Sequence, residues 1–376
     1  MTKTTLSPEA SGVYTIAPTP FTDDGAIDET SLDRLIDFYA EIGANGTTIL
    51  GQLGEAPKLD QDEALGIVRR VMKRAQFPVV VGVSAPGFAS MRSVSSAAMD
   101  AGAAGVMVAP PPSLRTDDQI VNYYADTVEA IGADVPFVIQ DYPLTFSVQM
   151  TPAVIRRIVA DHPSCVMLKH EDWPGLEKIT ALRGFEADGS MPHISILCGN
   201  GGLFLDFETE RGADGAMTGY CFPELLVDVV RLTAAGHRDA AHDLFDAHLP
   251  LIRYEQQPGV GLAVRKYVLA RRGILASAAQ RRPSTALSDR ARADARQDSS
   301  LRRPRAARLS VGASFAGQLV TWTFSRYTMP TVRRCQSSAS KRLASAQRAL
   351  VRLPCALGRR SRAPVPREFY VGAPVI

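Results

Sequence analysis

The sequence predicts an α/β protein built as a closed (β/α)8 barrel, a TIM barrel with appended C-terminal helices, and three observations carry that expectation. Between Gly12 and about Ile274, short β-branched runs alternate with longer amphipathic stretches, the pattern of βα units around a parallel sheet. Eight such units, each of about 25 to 30 residues, can be counted. No GxGxxG follows the first strand, as it would in a doubly wound nucleotide-binding sheet.

The strands expected are Val13–Ala17, Thr47–Leu50, Val79–Val83, Gly105–Ala109, Phe137–Gln140, Val166–Lys169, Ile194–Leu197 and Gly215–Thr218. Between them lie helical stretches over Asp28–Ile42, Asp62–Arg74, Met91–Ala101, Asp117–Ile131, Pro152–Ala160 and Pro174–Leu182, several opened by Asp, Ser or Thr, whose side chains cap exposed amides. Gly43, Gly46, Gly102, Gly105, Gly212 and Gly215 punctuate the returns from helix to strand. Beyond the eighth strand, Pro223–Ala235, Arg238–Tyr254 and Val260–Arg272 read as three further helices. The organisation expected is an N-terminal extension over 1–11, the barrel over 12–222, C-terminal helices over 223–295 and a basic tail over 296–376.

With 376 residues, 45% of them hydrophobic, the chain can bury a sizeable core. Its net charge of +3 conceals an asymmetry: residues 301–376 carry 15 basic side chains against one acid, Glu368, whereas residues 1–300 carry 27 basic against 38 acidic. The first part has the acidic balance of a soluble cytoplasmic enzyme. The tail, rich in Arg, Ser, Ala and Pro, has three readings: a shifted reading frame in a GC-rich gene, which we prefer, a natural disordered extension, or a nucleic-acid-binding arm. Nucleic acid is not an expected partner, because no aromatic platform interleaves the charges. The five cysteines form no CxxC pair and no metal-ligand spacing with the six histidines, so reduced thiols and no metal are expected. No leader and no membrane span are expected either, since the amino terminus lacks an apolar stretch and no window of about 18 apolar residues exists.

In a barrel of this kind chemistry collects where strands run into their following loops. The second strand ends in Gly51-Gln52-Leu53-Gly54-Glu55, where paired glycines let backbone amides approach a carboxylate. The fifth ends in Gln140-Asp141-Tyr142-Pro143, gathering an amide, a carboxylate and a phenol. The sixth ends in Met167-Leu168-Lys169-His170-Glu171, where a lysine following an apolar run either snorkels or faces the barrel interior. A desolvated lysine there would have a lowered pKa and could attack a carbonyl; the competing reading is an ordinary solvated or ion-paired side chain. His170, Glu171 and Asp172 form a polar cluster after it, without metal-ligand spacing.

Together with the opening Gly12-Val13-Tyr14-Thr15-Ile16-Ala17-Pro18-Thr19-Pro20-Phe21, these segments resemble the dihydrodipicolinate synthase/N-acetylneuraminate lyase family of Schiff-base aldolases over roughly residues 10–290. Order and spacing agree: 89 residues separate Gly51 from Gln140, and 29 separate Gln140 from Lys169. The resemblance implies that Lys169 condenses with the keto group of pyruvate or another 2-keto acid, without a cofactor. It implies that Gly51, Gln52, Leu53 and Gly54 hold the substrate carboxylate, and that Asp141, Gly199, Met217 and Thr218 line the pocket. The family's hydroxylated pair is here Gln52-Leu53. Aligned on Pro143, its proton-relaying tyrosine is Gln140, with Tyr142 two residues on, so both are candidate catalytic residues beside Lys169. Leu144-Thr145-Phe146 stands where synthases carry an arginine, and Pro111-Pro112 replaces a tyrosine pair.

The function expected is therefore a lyase or aldolase that forms a lysine Schiff base with a 2-keto acid, assembled as a dimer or tetramer. Two alternatives stand beside it: dehydration of a 2-keto-3-deoxy sugar acid through the same imine, and a non-catalytic keto-acid-binding barrel.

Overall fold

The structure is a computed structural model, described for residues 5–173 and 175–301. Eight parallel strands close a barrel in sequential order: β1 (Gly12–Ile16), β2 (Gly46–Ile49), β3 (Val79–Gly82), β4 (Gly105–Val108), β5 (Phe137–Asp141), β6 (Cys165–His170), β7 (Ser195–Cys198) and β8 (Gly215–Thr218). β8 pairs back onto β1, with Met217 opposite Tyr14 and Thr218 opposite Thr15. The expected TIM barrel is thus the observed fold, and every expected strand lies where it was placed, to within a residue at each end.

Helices follow the strands: α1 (Glu29–Glu41), α2 (Gln61–Arg74), α3 (Phe88–Asp100), α4 (Asp117–Ile131), then the single-turn α5 (Pro143–Phe146), α6 (Pro152–Asp161), α7 (Leu176–Ala187), α8 (Leu205–Glu210) and α9 (Pro223–Ala234). Asp28 caps α1 through the Ser31 amide, and capping boxes start α2 (Asp60 with Glu63) and α4 (Thr116 with Gln119). Each such box satisfies two amides that the first turn leaves without partners. Alternation along the strands divides the core in two. Tyr14, Ile16, Val80, Met107, Val138, Met167, Leu197 and Met217 fill the barrel interior, joined at its bottom by Leu6 of the amino-terminal segment, whose amide donates to Ala104 O at 2.8 Å. Residues such as Val13, Val79, Val81, Phe137 and Leu168 point outward into the layer beneath the helices.

After the barrel come α10 (Arg238–Glu255), α11 (Gly261–Arg271) and α12 (Asp289–Leu301). The helix α12 was not expected, and it runs across the boundary placed at residue 295; its Ala295 is fully buried. The segment between α11 and α12 crosses the carboxyl end of the barrel, where it is held by Glu55. The Glu55 carboxylate accepts from Lys266 Nζ at 2.6 Å, from Lys58 Nζ at 2.8 Å and from the Arg281 amide at 3.1 Å. Among the described residues no helix is long and apolar enough to cross a membrane. The tail expectation falls almost wholly on residues 302–376, outside the described residues.

Candidate active site

A cavity of about 720 Å3 opens at the carboxyl ends of the strands. Three residues converge at its base. Gln140 and Lys169 are directly opposite one another across the β5–β6 ladder, so both side chains project to the same face. Two residues beyond Lys169, and on that same face by strand alternation, stands Glu171, whose amide extends the ladder by donating to Asp141 O at 2.9 Å. Glu171 Oε2 accepts from Gln140 Nε2 at 2.8 Å and lies 3.2 Å from Lys169 Nζ. Lysine and glutamate are both buried, 5% and 6% exposed, so their pairing is strengthened by the low local polarity.

The β7 loop makes room for that carboxylate. A Cβ on Gly199 would stand 2.0 Å from Glu171 Cγ, which leaves glycine as the residue that fits. The next residue, Asn200, adopts a left-handed backbone (φ 48°) and clamps the glutamate: its side chain donates to Glu171 O at 2.8 Å and its amide approaches Oε1 at 3.5 Å.

Of the residues expected at the site, Lys169, Gln140, Tyr142, Gln52, Leu53 and Thr218 line this cavity. Tyr142 opens α5 with its ring edge-on to Phe146 at 6.2 Å, and burial raises its phenol above the usual range. The others lie elsewhere. Gly51 borders a second cavity of about 480 Å3, which shares Gln52 and Gln140 with the first. Gly54 sits behind its loop, with its amide engaged by Gly51 O at 3.0 Å and its carbonyl by Thr19 Oγ1 at 2.6 Å. Met217 packs inside the barrel below the cavity. Gly199 shapes Glu171 rather than the cavity wall.

Asp141 requires a correction. As the immediate neighbour of inward-facing Gln140 it points outward, between barrel and helices, and ion-pairs with Lys178 Nζ at 2.7 Å. Burial lifts its carboxyl to about 6 despite that partner. His170, outward for the same reason, is lowered to about 4 by burial.

Sequence reasoning placed Glu171 only in a polar cluster, although the period of two counted from Lys169 identifies its face. Asn200 lies in the Gly199–Gly202 segment that the resemblance puts at the pocket, whereas Arg265, Glu255 and the 280–285 segment, which line the cavity from beyond the barrel, carry no strand-end signal and were not expected. Among the described residues no group of three or more His, Cys, Asp or Glu side chains could hold a metal ion.

This arrangement suits amine chemistry on a carbonyl: a buried lysine beside a carboxylate that can exchange protons with it, in a pocket large enough for a small organic acid. Comparison with known proteins places the chain in a family. The model of the dihydrodipicolinate synthetase family matches residues 9–300. L-2-keto-3-deoxyarabonate dehydratase of Azospirillum brasilense is 28% identical over 298 residues, covering 77% of this chain and 93% of that protein. 4-Hydroxy-tetrahydrodipicolinate synthase of Chlorobium phaeovibrioides is 28% identical over 282 residues, covering 73% and 91%. The crystal structure of a dihydrodipicolinate synthase from Rhodopseudomonas palustris superposes with a TM-score of 0.79 at 67% identity, covering 80% of this chain and all of that one. The chain belongs to the dihydrodipicolinate synthetase family.

Proposed function

We propose that the protein is a Schiff-base lyase that binds a 2-keto acid on Lys169 and that its reaction is dehydration of a 2-keto-3-deoxy sugar acid. The observation that carries this reading is the buried Glu171 carboxylate, 3.2 Å from Lys169 Nζ and held by Gln140 at 2.8 Å. The family resemblance puts a tyrosine at the Gln140 position. An amide cannot relay protons there, whereas the carboxylate it orients can.

In this reading Glu171 takes a proton from the lysine ammonium, freeing the amine to attack C2. It returns that proton to the carbinolamine hydroxyl, which leaves as water and completes the imine. The carboxylate then removes a proton from C3, made acidic by the iminium, and passes it to the C4 hydroxyl, which departs as a second water. Hydrolysis of the imine, with one water consumed, releases the product and restores Lys169. No carbon–carbon bond breaks. The dehydratase of Azospirillum supports this sense of reaction, and so does Leu144-Thr145-Phe146 in the stretch where synthases often carry an arginine for a second carboxylate.

A second reading, carbon–carbon bond formation or cleavage through the same imine, is favoured by the Rhodopseudomonas synthase at 67% identity. One experiment separates the two. Borohydride reduction in the presence of pyruvate should add mass to the Lys169 peptide, and a 2-keto-3-deoxypentonate should lose water without releasing pyruvate. Pyruvate among the products would move the reaction to the aldolase side, and no label with any 2-keto acid would remove the enzyme reading. Cytoplasmic location and assembly as a dimer or tetramer belong to the same proposal, the latter tested by light scattering.

A further inference from the structure

The wall of the cavity facing β8 is built by an arginine from outside the barrel. Arg265, on α11, is 3% exposed. Its guanidinium is fixed along one edge: Nε donates to Glu255 Oε2 at 3.0 Å and Nη2 lies 2.9 Å from the same oxygen. Glu255 is itself held, Oε1 accepting from the Cys221 amide at 3.1 Å. The remaining nitrogen, Nη1, has no hydrogen-bond partner, and among the described residues lining the cavity it is the one buried side-chain polar atom in that condition. A buried guanidinium N–H left without an acceptor costs more than a neutral one, so its retention calls for a ligand.

Its position says which. A Cβ on Gly219, the residue after β8, would stand 2.9 Å from Arg265 Nη1 and 3.0 Å from Leu53 Cδ1. With no side chain on Gly219, the arginine and Leu53 of the Gly51–Gly54 loop both pack against its backbone, and Thr218 lines the same side of the cavity. That loop lacks the hydroxyl pair that the family resemblance puts there, having Gln52-Leu53, and its Gly54 amide is already engaged at 3.0 Å. An anion at this end of the site therefore finds no hydroxyl donor on the loop.

We propose that Arg265 supplies the missing contact: its Nη1 binds the carboxylate of the 2-keto acid at the Leu53–Gly219 end of the cavity, with Glu255 holding the guanidinium in place. This deepens the Schiff-base reading and rests on it for the identity of the ligand as a 2-keto acid. It also accounts for a post-barrel helix reaching into a strand-end site, since a planar guanidinium anchored along one edge presents the rest of its fork at a fixed angle to a carboxylate.

The test measures binding of pyruvate and of its neutral ester, methyl pyruvate, by calorimetry on the full chain, alongside borohydride labelling of Lys169. Arg265→Met should weaken pyruvate at least tenfold while leaving methyl pyruvate within about threefold, and Arg265→Lys should restore part of the loss. Because Arg265→Met leaves Glu255 buried without its partner, the double variant Arg265→Met/Glu255→Gln is measured in parallel and should show the same loss of preference for the charged ligand in a folded protein. Unchanged pyruvate affinity in any folded Arg265→Met variant overturns the assignment, as does equal weakening of acid and ester, or absence of pyruvate binding by the unaltered chain. Arginine-dependent pyruvate binding without label on Lys169 would instead leave this assignment standing and defeat the imine.

Discussion

Glu171 differs from the other buried acids near β6 in having its two oxygens facing different duties, one toward Lys169 and Gln140, the other toward the Asn200 amide. A glutamine there keeps the volume and some of the hydrogen bonds but cannot carry a proton between Nζ and carbon. Glu171→Gln should therefore lower kcat at least a hundredfold, within the range of about 10² to 10⁴ that a positioned acid–base group contributes. The far-ultraviolet circular dichroism should be unchanged. A loss under tenfold would shift the relay to Tyr142, which Tyr142→Phe then tests directly. The sequence made part of this visible. Lys169 and Gln140 were identifiable because strand ends of a barrel point their inward residues at one place, and the same alternation, applied one step further, sends Asp141 away from the site and Glu171 into it. Arg265 was not visible, because a helix outside the barrel has no register with the strands and its reach depends on packing.

Among the elements, the segment between α11 and α12 depends most on a single residue. Glu55 has a left-handed backbone (φ 55°), is 2% exposed, and joins the loop after β2 to Lys266, Lys58 and Arg281. Lys266 is fully buried, lies 4.5 Å from the Phe21 ring centroid and is lowered to about 8 by desolvation. Removing one member of a buried ion pair typically costs about 3–5 kcal/mol, whereas replacing both is close to neutral. Lys266→Met should accordingly cost several times what Glu55→Gln/Lys266→Met costs in urea unfolding; equal losses would show that the pair is not what holds the segment. Helices and strands of the barrel were legible because β-branched runs and capped amphipathic stretches are local signals. The short α5 and α8 were missed because single turns have too little periodicity, and the crossing segment was missed because side chains from distant elements, rather than a pattern of its own, fix its backbone.

For the molecule as a whole, the titrating groups buried between barrel and helices set how stability varies with pH. Burial raises Glu208 to about 7 and Asp141 to about 6 and lowers His170 to about 4. The folded state holds the carboxyl protons more tightly than the unfolded chain, so their stabilisation is fully present below the ordinary carboxyl range and is lost as pH rises through about 6 and then about 7. His170 acts in the opposite sense and its contribution is complete once pH exceeds 6.5. Lys266 begins to shed its buried charge only near pH 8. Between roughly pH 6.5 and 7.5 the remaining slope is that of Glu208 together with part-exposed His242, whose imidazole Asp206 and Glu210 raise above its usual range. The melting temperature should fall across that interval, and Glu208→Gln should flatten it; a slope unchanged in the variant would place its origin elsewhere. The crossing segment also fixes an order of events during synthesis. Lys169 leaves the ribosome 116 residues ahead of Thr285, which lines the same cavity. At translation rates of about 5–20 residues per second, the lysine exists for roughly 6–23 s before its pocket can be roofed. Through most of that interval the nascent chain carries Lys169 without Arg265, and through all of it without the complete 280–285 wall, so the proposed keto-acid substrate meeting the lysine then finds no enclosure to keep it.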